Sequence, residues 1–150
     1  MNRFRLLAGL AALCCAALCA RATEPAEIEA VTARWAAAYN SRNPENVLPL
    51  YAPDAVFWGT VSPTLRDTPE EVRAYFGVMS DRPRARVAIG EHRVQIFGDV
   101  ATNTGFYTFS NTDENGVTTS LPSRFSFTYH RRDGQWLIVV HHSSRVPPAP

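Results

Sequence analysis

No lysine occurs among the 150 residues, and all 15 basic side chains are arginine. A Schiff-base mechanism, which needs a lysine amine, is therefore excluded. Cysteine is confined to Cys14, Cys15 and Cys19. These lie in a stretch that reads as a secretory leader: Arg3 and Arg5 form a short basic region, Leu6 to Ala20 an apolar run, and Ala20-Arg21-Ala22 an A-x-A cleavage site. The apolar run is shorter than the ~20 residues that a membrane-spanning helix needs, which favours a cleaved leader over an anchor. Residues 1–22 are thus expected to be a signal peptide, and the chain to be exported to the periplasm or the medium, with no membrane attachment after cleavage. The exported form would contain no thiol, which excludes disulfides, cysteine nucleophiles and thiolate metal sites.

Strong charge is missing too. Beyond residue 22, 12 arginines face 14 acidic residues, a net charge of −2 with no long run of either sign. Nucleic acid and anionic membranes are not expected partners. His92, His130, His141 and His142 show neither H-x-H nor H-x-x-x-H spacing, and an adjacent pair diverges on a strand, so no metal site is expected. No G-x-G-x-x-G fingerprint appears, and no cofactor is expected. The remaining 128 residues suit one domain around one core.

What the sequence does contain is a clear order of elements. Ile28, Val31, Trp35 and Tyr39 lay one apolar stripe along a helix over residues 24–41, with Glu24, Glu27 and Glu29 near its positive end. Asn43-Pro44-Glu45 reads as a cap with proline at the first helical position, opening a short helix that ends near Tyr51. Residues 54–60 read as a strand. Thr68-Pro69-Glu70-Glu71 forms a capping box that starts a third helix, running to about Met79 with Val72, Tyr75, Phe76 and Met79 inward. From Arg86 onward the pattern is strand-like: 86–97, 100–110, 117–131 and 135–144, separated by turns at Gly98-Asp99, Asn111 to Gly116 and Asp133-Gly134. The order predicts an α+β fold, with three N-terminal helices gathered on one face of a curved antiparallel sheet. The proline-rich end, residues 147–150, is expected to fray.

The last hairpin, RFSFTYHRRDGQWLIVVHHSS (Arg124 to Ser144), is the most informative segment. A two-residue type I′ turn at Asp133-Gly134 pairs Phe125 with His142, Phe127 with Val140 and Tyr129 with Ile138. One face then carries Phe125, Phe127, Tyr129, Trp136, Ile138, Val140 and His142. The opposite face carries Arg124, Ser126, Thr128, His130, Leu137, Val139, His141 and Ser143. A bulge in the last strand would exchange the two histidines.

LYAPDAVFWGTVS (Leu50 to Ser62), TPEEVRAYF (Thr68 to Phe76) and the terminal HRRDGQW with its histidine-serine segment resemble the nuclear transport factor 2-like superfamily. Within its SnoaL-like branch, the chain is most similar to bacterial proteins related to the association domain of calcium/calmodulin-dependent protein kinase II. The resemblance covers residues 23–146 and implies a cone: a strongly curved sheet wrapped around the first helix, a pocket at the open end, and an outer sheet face used for homodimers or larger rings. It does not imply a kinase, because the chain has no Gly-rich loop and no HRD-type catalytic loop. Relative to the resembled proteins, Phe127 and Ser143 stand where the association domain has arginines. Val140 stands where many bacterial relatives have an acidic residue, so a carboxylate base is missing there.

Trp35, Tyr39, Trp58, Tyr107 and His142 are the candidate ligand-binding residues, as an aromatic lining with one imidazole; plain core packing is the alternative for the aromatic group. His142 is the best catalytic candidate as base or ligand donor, or else a core histidine bonded to a carbonyl. His141 is expected at a subunit interface or in solvent. Arg124 is the best anion-binding side chain, or an interface ion-pair partner, because its face lies outside the cone. Asp54 reads as a turn former rather than a catalytic acid. The expected function is an exported homo-oligomeric domain holding a small ligand. The alternatives are a cofactor-independent isomerase, cyclase or hydratase, and a purely structural oligomerisation unit.

Overall fold

The computed structural model describes residues 23–78, 81–82 and 84–148. The expected leader at residues 1–22, Met79 with its expected inward placement, and the last two residues of the expected frayed tail lie outside these. Helix α1 spans Pro25–Ser41, with proline in its first turn, and stops where Arg42 turns left-handed (φ 60°) and donates its N–H to the Tyr39 carbonyl at 3.0 Å. Ile28, Val31, Thr32, Trp35 and Ala36 form its buried stripe. Helix α2 (Pro44–Val47) opens with the Asn43 side chain accepting the Glu45 N–H at 3.0 Å, and a 3-10 turn (Leu48–Leu50) leads into strand β1 (Tyr51–Trp58). Helix α3 (Pro69–Gly77) is capped by Thr68, which accepts the Glu71 N–H at 3.3 Å, while the Glu71 carboxylate accepts the Asp67 N–H at 3.1 Å. Val72 and Phe76 of α3 are buried, and Tyr75 is half-buried.

Strands β2 (Arg86–Phe97), β3 (Val100–Thr112), β4 (Thr118–Arg132) and β5 (Gln135–Arg145) form the expected meander. The sheet order is β1-β5-β4-β3-β2, with β1 joining β5 in parallel and every other pair antiparallel. The β4–β5 turn has positive φ at both Asp133 (50°) and Gly134 (78°), as a type I′ turn requires. In β2 the register slips between Ile89 and His92. Facing this bulge is Gly105, where a Cβ would fall 2.4 Å from the Glu91 carbonyl oxygen, so only glycine lets the two backbones close.

A second bulge corrects the hairpin register. Tyr129 pairs with Ile138 as expected, but the register shifts between Thr128 and Tyr129, so Phe127 pairs with His141 and Phe125 with Ser143. Two residues, Val139 and Val140, occupy the space of one. Every side chain beyond them changes face. His141 and Ser143 therefore point inward and are buried, whereas Val140 and His142 point outward and are exposed.

The first helix lies across β2 and β3, held there by polar contacts as well as apolar ones. The Asn40 side chain donates to the Val87 carbonyl (3.0 Å) and accepts the Val87 N–H (2.7 Å). Deeper, Thr32 Oγ1 donates to the Ile28 carbonyl at 3.0 Å, lies 2.9 Å from the Tyr129 hydroxyl, and accepts from Asn103 Nδ2 at 2.8 Å. Around these contacts the core is mainly aromatic. Phe57, Phe76, Phe125, Phe127 and Tyr129 are almost wholly buried, each removal from water being worth about 1.5–3 kcal/mol.

Candidate functional site: an aromatic cavity with a neutral polar floor

At the wide end of the cone, α1, α3 and the inner sheet face do not meet, and a cavity of about 280 Å³ remains. Trp35 and Tyr39 reach it from α1, Phe57 from β1, Tyr75 and Phe76 from α3, and Tyr107 and Phe109 from β3. These rings brace one another edge to face: Trp35 and Tyr107 have centroids 5.9 Å apart at 71°, and Tyr107 and Phe109 are 4.6 Å apart at 78°. The segment after β1 supplies the rim with Gly59, Thr60, Val61 and Ser62, joined by Arg66 and Arg82. No carboxylate among the described residues lines the cavity.

His141 and Ser143 form the floor, together with groups that reach them from three other strands or helices. Trp35 Nε1 donates to the Tyr51 hydroxyl at 3.0 Å, and that hydroxyl lies 2.7 Å from His141 Nδ1. On the other edge of the ring, Nε2 is 3.5 Å from the Tyr107 hydroxyl, which donates to Ser143 Oγ, itself bonded to Thr60 Oγ1. The imidazole is enclosed by Phe127 (centroids 4.1 Å), Phe57 (4.9 Å) and Trp35 (5.3 Å).

This enclosure decides the electrostatics. Burial, with a smaller push from neighbouring His142, lowers the His141 pKa to about 3. The phenols move the other way: burial raises Tyr39 to about 12 and holds Tyr51 and Tyr107 well above their ordinary value. Near neutral pH the floor is uncharged, a set of neutral donors and acceptors. Among the described lining residues, positive charge stands only on Arg66 and Arg82 at the rim. The Arg66 guanidinium donates to Ser62 Oγ (3.1 Å) and the Glu71 carbonyl (3.1 Å) and lies 5.3 Å over the Tyr75 ring. Neither Arg66 nor Arg82 forms an ion pair with a carboxylate among the described residues.

Of the residues singled out from sequence, Trp35, Tyr39 and Tyr107 meet around this cavity. Trp58 and His142 do not. Both lie on the outer sheet face, paired across β1 and β5 with ring centroids 6.5 Å apart, and Trp58 is 50% exposed. For His142 the cause is the β5 bulge; for Trp58 it is strand alternation, which turns Phe57 inward and its successor out. His141, expected at an interface or in solvent, is 2% exposed and faces the cavity. Arg124 stands on the outer face, donating to Ser144 Oγ at 3.3 Å. Asp54 forms a two-pronged ion pair with Arg132 (2.7 and 3.0 Å), which holds its carboxyl below the usual range, on the exposed surface away from the cavity.

Tyr51, Thr60, Ser143, Arg66 and Arg82 were not visible as site residues. Tyr51 sits where a helix was expected to end, and the arginines sit in segments without periodicity. A serine two places from a histidine on a strand is the one signal that links Ser143 to His141, and it acts only once the register is known.

The model of the calcium/calmodulin dependent protein kinase II association domain matches residues 24–147. The chain belongs to this family. Among solved structures, an association-domain protein from Xanthomonas campestris is 37% identical, with 85% of this chain and 95% of that one covered and a TM-score of 0.76. The association domain of C. elegans CaMKII is 22% identical over 79% of this chain and 93% of its own, with a TM-score of 0.67. A Streptomyces avermitilis protein of the NTF2-like family, provisionally named a dehydratase, shares 15% identity over 81% and 95% of the two chains at a TM-score of 0.72. These last two are similar in fold. No curated protein matches the chain. The cone of this association-domain family member is thus an NTF2-like one, and its cavity is the open end of that cone.

Proposed function

We propose that this association-domain family member is an exported homo-oligomeric protein that binds a small planar ligand in the cone cavity and has no kinase activity. The observation that carries the reading is the cavity itself: about 280 Å³ walled by aromatic rings, with a neutral floor of hydrogen-bonding groups and arginine at the rim. Aromatic walls favour a flat apolar body, and Arg66 and Arg82 favour an anionic end facing outward. A purely structural unit would have filled this space with its own side chains. An isomerase or dehydratase would need a base that titrates near neutrality, and the floor offers only a depressed imidazole and raised phenols.

Self-association is supported by family membership and by the outer sheet face, where Trp58, Phe106 and Val140 are each more than 40% exposed beside His142 and Arg124. Export rests on the leader-like residues 1–22. Native mass spectrometry of the secreted protein tests the whole reading. It is expected to report a homodimer or larger ring that takes up one 2-naphthoate per subunit, with uptake reduced in Arg66→Ala. A monomer, or an oligomer that takes up no aromatic acid, would overturn it.

A further inference from the structure

The donors around His141 are not symmetrical. Trp35 Nε1 has a hydrogen and no lone pair to offer, so the Tyr51 oxygen must accept from it. The Tyr51 hydroxyl hydrogen is then buried and needs an acceptor, and the one within reach among the described residues is His141 Nδ1 at 2.7 Å. An Nδ1 that accepts places the ring hydrogen of the neutral imidazole on Nε2. Tyr51 stands behind the ring and does not line the cavity, whereas Tyr107, beside Nε2, does. The Nε2–H therefore lies on the cavity side. Its partner there, the Tyr107 hydroxyl, is 3.5 Å away and already donates to Ser143. That contact is at the outer limit of a hydrogen bond, and it leaves a donor in the floor with spare capacity.

We propose that the cavity reads an uncharged oxygen acceptor: Trp35 and Tyr51 act as positioning residues that lock His141 as its Nε2–H form, and the ligand is an aromatic acid carrying a carbonyl group at the end opposite its carboxylate. The carbonyl takes the Nε2–H at the floor while the carboxylate meets the arginines at the rim. The inference rests on the proposed ligand-binding role and adds what the ligand must present. A ligand whose deep end carries only an N–H or apolar group is discriminated against, since it leaves the buried donor without a better partner. Burial of the imidazole keeps the floor neutral, so a second carboxylate at that end would have no countercharge.

Two isosteric probes separate the possibilities. Both 4-acetylbenzoate and 4-isopropenylbenzoate carry a carboxylate and a branched end of three non-hydrogen atoms, but only the first has a carbonyl. Calorimetry is expected to show the acetyl compound bound about tenfold more tightly, as one buried hydrogen bond would give. In Tyr51→Phe the ratio is expected to fall toward one, because the imidazole is then free to take the other tautomer. Long-range proton–nitrogen NMR of the wild-type protein supplies a readout independent of any ligand and of whether Tyr51→Phe folds: it is expected to show His141 Nε2 protonated and Nδ1 bare. Protonated Nδ1 would overturn the tautomer lock. Equal binding of the two probes would overturn the carbonyl reading and leave the ligand-binding role standing. Binding of neither would overturn both.

Discussion

The Tyr51 hydroxyl lies 2.7 Å from Nδ1 of His141, 90 residues later in the chain, and this contact joins the first strand to the last at the bottom of the cavity. Tyr51 also accepts from Trp35, so one phenol satisfies two buried rings. Tyr51→Phe removes the hydroxyl without removing the ring and leaves Trp35 Nε1 and His141 Nδ1 unpaired. The expected loss of stability is about 1–3 kcal/mol, read from urea unfolding curves.

His141 gives the protein an acid-sensitive window. Its folded-state pKa of about 3 lies below the ordinary histidine value near 6.5. Between these values the unfolded chain binds a proton that the folded chain does not, so stability falls as pH is lowered through the unfolded pKa toward the folded one. The slope from this one group approaches ~1.4 kcal/mol per pH unit. Denaturation midpoints measured from pH 7 to pH 4.5 are expected to fall in the wild type and to fall less in His141→Asn.

Asn40 holds the end of α1 to the edge strand β2 by pairing with both backbone groups of Val87. Asn40→Ala strips both at once from a half-buried strand. A loss of about 1–3 kcal/mol is expected, with faster amide exchange concentrated at Val87.

Gly105 is a backbone requirement at the β2 bulge, since a methyl would meet the Glu91 carbonyl oxygen at 2.4 Å. Gly105→Ala is expected to cost at least ~1–3 kcal/mol, the usual range for overpacking, whereas Gly77→Ala, where nothing lies within 4 Å, is expected to be close to neutral. Thermal melting of the two variants makes the comparison.

Trp58, now placed outside the cone, becomes a probe of assembly. Trp58→Arg puts a charge on the outer face, at the β1 edge of the sheet, without touching the cavity lining. Size-exclusion chromatography with light scattering is expected to show a smaller species than the wild type, while ligand uptake per subunit persists.

Much of the architecture was legible because it is encoded locally. Proline and asparagine mark the start of α2, threonine caps α3, Asp133-Gly134 accepts positive φ, and alternating aromatic residues give β4 an inner face. The candidate site was legible only in part. Trp35 and Tyr39 were placed inward because apolar periodicity marks one stripe of α1, whereas Tyr107 was singled out as an aromatic side chain on a strand whose inward face the sequence analysis did not assign. His141 and His142 were exchanged because Val139 and Val140 are both β-branched and apolar. Hydrophobic pattern cannot say which of two equal residues bulges out.

The sequence alone determined the elements, their order and the aromatic character of the interior, because helix caps, turn residues and side-chain alternation act over a few residues. Tertiary structure decided which histidine faces the cavity, that Tyr51 fixes its hydrogen, and that Arg66 and Arg82 stand at the rim. Those outcomes depend on a one-residue slip between paired strands and on where loops come to rest, and both are set by packing among segments far apart in the chain.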